Sequence, residues 1–259
     1  MSTVELNSQI IDGVGVVSLN RPHRHNAISD ALFAAMCTAV RGLLDTDAVR
    51  CLLLRGEGAS FCSGRDRADL GKRANGEDDF TFVRAHQRLR LEMLESPKPV
   101  VAAVQGAAIG GGFELALSAD IRILAHDAFF AMPEVGLGLV PDTGGTQILP
   151  ALIGPSRAKY LVLTGKRIDA ATAYAWGLAE EVVAVEALHD HTMALCRQLA
   201  AQPALAASMG KLLVNQAIAG DIRNGITQEL FAQTALFSSG AYRRNAGDAR
   251  TDDTRSRRQ

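Results

Sequence analysis

Four glycines, Gly106, Gly110, Gly111 and Gly112, fall within seven residues and lead directly to an acid, Glu114. They follow the apolar run Val100-Val-Ala-Ala-Val104 and precede Phe113-Glu-Leu-Ala-Leu117, so the stretch reads as a buried strand turning through glycine into a helix. The first turn of a helix offers unpaired N–H groups and the positive end of its dipole, a setting that favours negative charge. Glu114 sits three residues past Gly111, about one turn on, and on the same side as those groups. An anion cradle beside a carboxyl suits a reaction in which an oxyanion forms while a proton moves. The glycine spacing is not that of a dinucleotide fingerprint, and no Lys-Ser or Lys-Thr follows to make a phosphate loop. Taken alone, the glycines are also explained by close packing of a helix on a strand.

A second glycine-containing loop, Ala59-Ser-Phe-Cys-Ser-Gly64-Arg-Asp66, follows another apolar run at Cys51 to Leu54. Two such strand ends side by side could each give one main-chain N–H to a single oxygen. Two further acids stand in glycine-rich sequence, Glu134 after Met132-Pro133 and Asp142 in Val140-Pro-Asp-Thr-Gly-Gly145. Each acid has a plain structural reading. Glu114 would complement a helix dipole, Glu134 would be a solvated loop acid, and Asp142 would cap a helix starting near Thr143 or Gly144. Cys62 has no histidine placed to activate it and reads as core, while His23 and His25 read as solvated loop residues.

The elements that must hold these residues follow from periodicity. Strands are expected at Val14 to Leu19 after an Asp12-Gly13 turn, at Val49 to Leu54, at Val100 to Val104 and at Ile121 to Ala125, with another short apolar piece at Ala128 to Ala131. Helices are expected from Ser29 or Asp30 through Leu44, and over 80–94, 156–164, 169–176, 188–201, 204–219 and 226–238. Strands separated by helices over the first two-thirds point to βαβ-type units, an α/β protein. The later helices suggest a division into a core, 1–195, a helical subdomain, 196–239, and a tail, 240–259, with too few apolar residues to order.

Composition narrows the classes. The chain has 259 residues, 47% of them hydrophobic, and a formal net charge of −1, an ordinary soluble composition that asks for neither nucleic acid nor an anionic membrane. No apolar run approaches a membrane span, and the first residues do not read as a signal peptide. Four cysteines without CxxC spacing read as reduced residues of a cytoplasmic protein, and no Cys/His cluster suggests a metal.

In order along the chain stand Leu19-Asn-Arg-Pro22 with Asn26-Ala27, Phe61-Cys-Ser-Gly64, and Gly106-x-x-x-Gly-Gly-Gly-x-Glu114-Leu-Ala-Leu-x-x-Asp120. Pro133-Glu134, Gly144-Gly-Thr-Gln147, Leu163-Thr-Gly165 and Ala175-Trp-Gly-Leu178 follow. This ordered set, from about Val14 to about Phe237, resembles the enoyl-CoA hydratase/isomerase (crotonase) family. The resemblance implies a spiral of ββα units with two sheets, a helical C-terminal subdomain, and assembly as trimers or dimers of trimers. It implies an acyl-CoA thioester as substrate, with no metal or redox cofactor, and an enolate oxygen held by the N–H groups of Arg65 and Gly111. Glu114 would activate the water added at the β-carbon, and Glu134 would deliver the proton to the α-carbon, as in a 2,3-enoyl-CoA hydratase. Asp142 stands where hydratases commonly have glycine and some double-bond isomerases have aspartate, so an isomerase using Glu134 and Asp142 is the rival. A non-catalytic acyl-CoA-binding scaffold is the third possibility. Arg24 would meet the coenzyme A phosphates, and Ser63, Gly64, Asp66, Arg67 and Gly110 would line the path of the thioester. The Arg65 side chain is larger than many relatives carry and is expected to narrow or charge the site. The basic, aromatic-containing last helix with which relatives often cover coenzyme A has no match in the tail, so no C-terminal contacts are carried over.

Overall fold

A computed structural model describes residues 5–72 and 77–239. The tail at 240–259 lies outside the described residues. The chain opens with an antiparallel hairpin, β1 (Leu6–Ile11) and β2 (Val14–Leu19), whose Asp12 and Gly13 have φ of 51° and 78°. Asp-Gly is a favoured pair for the two left-handed positions of such a tight turn. α1 (Asp30–Asp45) starts at Ser29, which accepts from the Leu32 N–H, and buries Leu32, Met36, Val40 and Leu43 at helical spacing. β3 (Cys51–Gly56) leads to α2 (Asp79–Glu95), capped by Asp78. Then come β4 (Val100–Val104), β5 (Ala107–Ile109), α3 (Gly111–Leu117), β6 (Ile121–Ala125) and β7 (Phe129–Ala131). The remainder is α4 (Gly145–Ile153), α5 (Pro155–Thr164), β8 (Ile168–Asp169), α6 (Ala170–Trp176), β9 (Glu181–Val183), α7 (Leu188–Ala200) and α8 (Ala204–Ser239).

Two sheets form. The larger runs β1-β2-β3-β4-β6-β9, parallel beyond the first hairpin, and the smaller runs β5-β7-β8. The chain climbs between them by one repeated move: a strand in the large sheet, a short extended piece in the second layer, then a helix. β4-β5-α3 shows it in full, and β6-β7 leads through a loop to α4. Two isolated parallel bridges, Ile28 to Arg65 and Cys62 to Ala108, extend the second layer back to the turns after β2 and β3. This is the expected spiral of ββα units. Gly106 marks one step between layers. Its φ is +52°, and a Cβ there would run into the Ala59 carbonyl oxygen.

Fully buried strands explain the continuous apolar runs. One face of the large sheet packs Leu52, Leu54, Ala102 and Val104 against α1, α2 and α3. The other packs Val14, Val16, Leu53, Val101 and Ile123 against Leu188 and Cys196 of α7. Residue 195 therefore falls inside a helix that covers the sheet, and the segregated helical part begins after Gln202-Pro203. The two helices expected over 204–219 and 226–238 are one continuous helix. The intervening glycines, Gly220 and Gly225, cost roughly 1 kcal/mol each in a helix, and no proline forces a break.

Candidate active site

The two glycine-bearing loops meet edge to edge. Ile28 donates to the Gly64 carbonyl at 2.8 Å and accepts from the Asp66 N–H at 2.9 Å. In a parallel ladder the residue between two such bonds turns its own N–H to the other side, so the Arg65 N–H faces away from Ile28. It faces α3. A Cβ placed on Gly111 would lie 3.9 Å from the Arg65 nitrogen, and one placed on Gly64 (φ +90°) would lie 3.5 Å from the Gly111 nitrogen. The Arg65 and Gly111 nitrogens thus border one narrow gap, and Gly111 is the first residue of α3. Gly112 lets the helix approach the Cys62 carbonyl, which a Cβ would strike. Gly110 (φ +53°) lets the Glu134 carboxylate lie against the same turn.

Three of the acids singled out above converge here with their proton affinities raised. Glu114 is 1% exposed, and one of its oxygens accepts from the Thr143 and Gly145 N–H groups, both at 2.9 Å. Burial raises its proton affinity, while those two bonds and the Arg90 charge oppose the rise. Glu134 opens a short 3-10 turn, Glu134–Leu137, and its Oε2 has no hydrogen-bond partner among the described residues. Burial pushes its pKa well above the ordinary value, and the charges of Glu114 and Asp142 push the same way. Asp142 is raised to about 7, by burial first and by Glu114 second.

Asp142 does not cap the following helix, contrary to the expectation from sequence. α4 begins at Gly145 behind Gly144 (φ +116°), and no side chain of its own neighbourhood caps it. The Asp142 carboxyl instead hydrogen-bonds to Gln233, whose Oε1 also accepts from the Val140 N–H at 3.3 Å. The N–H groups of α4 are capped from a distance, by Glu114 and by Glu229 of α8. Glu229 accepts from the Gly144 N–H at 2.9 Å, the Thr146 N–H at 3.0 Å and the Thr146 hydroxyl. Burial, and then the charge of Glu114, raises Glu229 to about 8. Arg90 is the buried cation of the group, with Nη2 donating to the Gly111 carbonyl at 3.3 Å. Gln87 of α2 ties the Asp142 carbonyl (2.7 Å) to the Ile226 carbonyl of α8 (3.0 Å).

Arg90, Glu229, Gln233 and Gln87 were not singled out from sequence. A signal existed for two of them. Ile226, Glu229, Leu230, Gln233 and Phe237 form one buried stripe of α8, and two polar residues on an apolar stripe call for partners.

Other site residues have their own places. The Arg65 side chain does not enter the gap beside its N–H. It pairs with Asp30, donates to the Ile28 carbonyl at 3.2 Å and lies over the Phe82 ring. Asp66 is buried against Arg21 at 3.0 Å and accepts from the Ala68 N–H, so its carboxyl is committed inside the protein. Burial opposes its ionisation, but these bonds win and hold its pKa below the usual range. Arg24 and Arg67 are exposed, and Ser63 is partly so at the same edge. Cys62 is pushed up to about 11 by burial, which fits packing rather than nucleophilic attack. His25 meets the Ser60 hydroxyl at 3.0 Å. Asn26 braces the turn, accepting from the Arg21 N–H and donating to the Glu57 and Ser60 carbonyls.

A family model described as enoyl-CoA hydratase/isomerase matches residues 9–247. The chain is 36% identical over 239 residues to a protein of Escherichia coli K12 named 1,2-epoxyphenylacetyl-CoA isomerase, covering 91% of each. It is 35% identical over 242 residues to a short-chain-enoyl-CoA hydratase of Clostridium acetobutylicum, covering 91% of this chain and 92% of that one. A crystal structure of an enoyl-CoA hydratase from Mycobacterium avium subsp. paratuberculosis superposes with a TM-score of 0.86 at 27% identity, covering 95% of this chain and 99% of the other.

Proposed function

Because the chain belongs to the enoyl-CoA hydratase/isomerase family, we propose that it adds water across the 2,3 double bond of an enoyl-CoA thioester. The observation that carries this reading is the pairing of Glu114 and Glu134 in unlike surroundings. One has an oxygen held by two N–H groups, the other has an oxygen without a partner, and each carboxyl lies in the field of the other. Pairs of acids pushed apart in this way divide the roles of base and acid. Glu114 takes a proton from water as its oxygen bonds to the β-carbon. The double-bond electrons move through the α-carbon to the thioester oxygen, which the Arg65 and Gly111 N–H groups hold as an enolate. Glu134 then protonates the α-carbon, and the product is a 3-hydroxyacyl thioester. The proton gained by Glu114 returns to Glu134 before the next turnover, so no metal or redox cofactor enters the balance.

Exposed Arg24 and Arg67 at the rim, with Ser63, Gly64 and Gly110, are proposed to contact the coenzyme A portion and the thioester. Assembly as a trimer, or a pair of trimers, is part of the same reading.

Asp142 favours a second reading. It is a third acid of the cluster, free of any capping duty and poised near neutrality. With Glu134 it could remove a proton at one carbon and return it at another, moving the double bond without water. A panel of enoyl-CoA thioesters incubated in ¹⁸O-water and weighed by mass spectrometry decides. Label in the product supports hydration, a shifted bond without label supports isomerisation, and binding without turnover of any thioester would leave a scaffold.

A further inference from the structure

Neither proposed reaction uses Glu229, yet it is a buried acid held beside two others. It is 4% exposed on the last described helix, 85 residues from the glycine whose N–H it accepts. Four successive N–H groups open the turn into α4, and two acids share them alternately. Glu114 takes those of Thr143 and Gly145, and Glu229 takes those of Gly144 and Thr146. The Thr146 hydroxyl adds a third bond to Glu229. The turn has little stiffness of its own, because it passes through Gly144 at φ +116°. A Cβ on Gly145 would lie 3.0 Å from the Glu114 oxygen, so the Glu114 carboxyl rests directly on the segment that Glu229 grips.

Capping alone does not explain an acid here. A serine, threonine or asparagine caps a helix as well, and without a charge. Glu229 faces Glu114 from α3 and Asp142 from the loop before α4, while Arg90 of α2 acts on Glu114 and Asp142, Gln87 bonds the Asp142 and Ile226 carbonyls and Gln233 bonds the Asp142 carboxyl. Burying a further carboxyl among these is costly. One helical turn further along the same face, Gln233 holds the Asp142 carboxyl and the Val140 N–H. Both polar residues on the buried stripe of α8 therefore act on the segment 140–146, and both reach acids of the site through it.

We infer that Glu229 is a positioning residue of the reaction. With Gln233, it makes the seating of α8 fix the turn against which Glu114 rests and the place of the Asp142 carboxyl. The inference rests on the proposed thioester chemistry for its kinetic consequence, and on geometry alone for its effect on the acids.

The test compares wild type with Glu229→Gln and Thr146→Val in the full chain. Steady-state turnover of crotonyl-CoA is followed from pH 5 to 10, and carboxyl ¹³C resonances are titrated, with Asp142→Asn as the assignment control. Glu229→Gln keeps size and one acceptor but can no longer ionise, and it leaves a donor facing a donor. It should lower kcat by about 10- to 100-fold, the scale of an ångström-level misplacement, while KM stays within about threefold. The titration step that belongs to Glu229, at about 8, should disappear. Thr146→Val removes one donor and keeps the charge, so the same step should move upward instead. A Glu229→Gln protein with wild-type kcat and an otherwise unchanged cluster titration would overturn the inference. If wild type turns over no enoyl-CoA thioester, the proposed function fails, and the ¹³C titrations of the two variants still decide the role of Glu229.

Discussion

Replacing Gly64 with alanine tests the proposed oxyanion gap without touching any acid. The added Cβ would lie 2.6 Å from the Ile109 carbonyl oxygen, a backbone atom that cannot swing aside. Relief to an ordinary contact of about 3.4 Å requires the loop carrying Arg65 to retreat from the 109–111 segment by about 0.8 Å. The Arg65 and Gly111 N–H groups must both lie about 2.9 Å from one oxygen, and a donor withdrawn by that amount, to about 3.7 Å, no longer makes a hydrogen bond. The loss equals one oxyanion donor, roughly 10²–10³ in kcat. Gly64 also has φ +90°, so alanine there adds backbone strain of about 1–3 kcal/mol and should lower Tm by roughly 2–12 °C. Turnover of crotonyl-CoA is therefore compared well below the Tm of both proteins. Gly42→Ala is the control: it is an exposed helical position where a Cβ meets nothing within 4 Å. It should leave kcat alone and raise stability by about 0.5–1 kcal/mol. A folded Gly64→Ala protein with kcat within about threefold of wild type would refute the assignment of Arg65 as a donor to the reacting oxygen.

Asp142 is raised to about 7, so if it carries the proton of an isomerisation, the kcat profile has a limb near pH 7 that Asp142→Asn abolishes together with turnover. For hydration alone, Asp142→Asn keeps measurable incorporation of labelled oxygen. The raised acids also predict a pH dependence of stability. Asp142 and Glu229 hold protons in the folded state up to about 7 and about 8, from ordinary values of 3.8 and 4.5. Their contribution is full below the ordinary range and is lost as pH rises through 7 to 8. Thermal unfolding should therefore give a higher Tm at pH 5.5 than at pH 8.5, with a flatter dependence in Glu229→Gln. Asp66 has the opposite sign. Its lowered pKa adds stability above the ordinary carboxylate range that is lost as pH falls through the folded value, so Asp66→Asn should flatten the acid side of the same curve.

What could be read from sequence was what depends on short stretches. The strand-glycine-helix unit around Gly111 and the acid Glu114 follow from residue types a few positions apart, whereas Glu134 and Asp142 are singled out by the resemblance of the whole ordered set of motifs to a family. Local reading misled at Asp142, because capping was judged from the nearest acid. The real acceptors come from 29 to 85 residues away. β1 escaped notice because four of its six residues point to solvent, and β5, β8 and β9 are only two or three residues long, too short for periodicity to register. The break expected in α8 failed for a different reason: glycine weakens a helix but does not end it. The Arg65 side chain could not be placed from sequence, since its partner Asp30 begins a helix that the chain enters through a separate turn.

The alternation of donors at the start of α4 has a further consequence for how the protein opens. Neighbouring amides in one turn are held by acids from two different helices. Those of Thr143 and Gly145 are protected by α3, which is buried in the centre of the fold, and those of Gly144 and Thr146 by α8, which packs from outside. In hydrogen exchange under native conditions, protection should therefore alternate residue by residue. The Gly144 and Thr146 amides would exchange with the undocking of α8, and their two neighbours only in rarer, more global openings. Four consecutive amides would then act as a built-in gauge of whether the last described helix is in its seat.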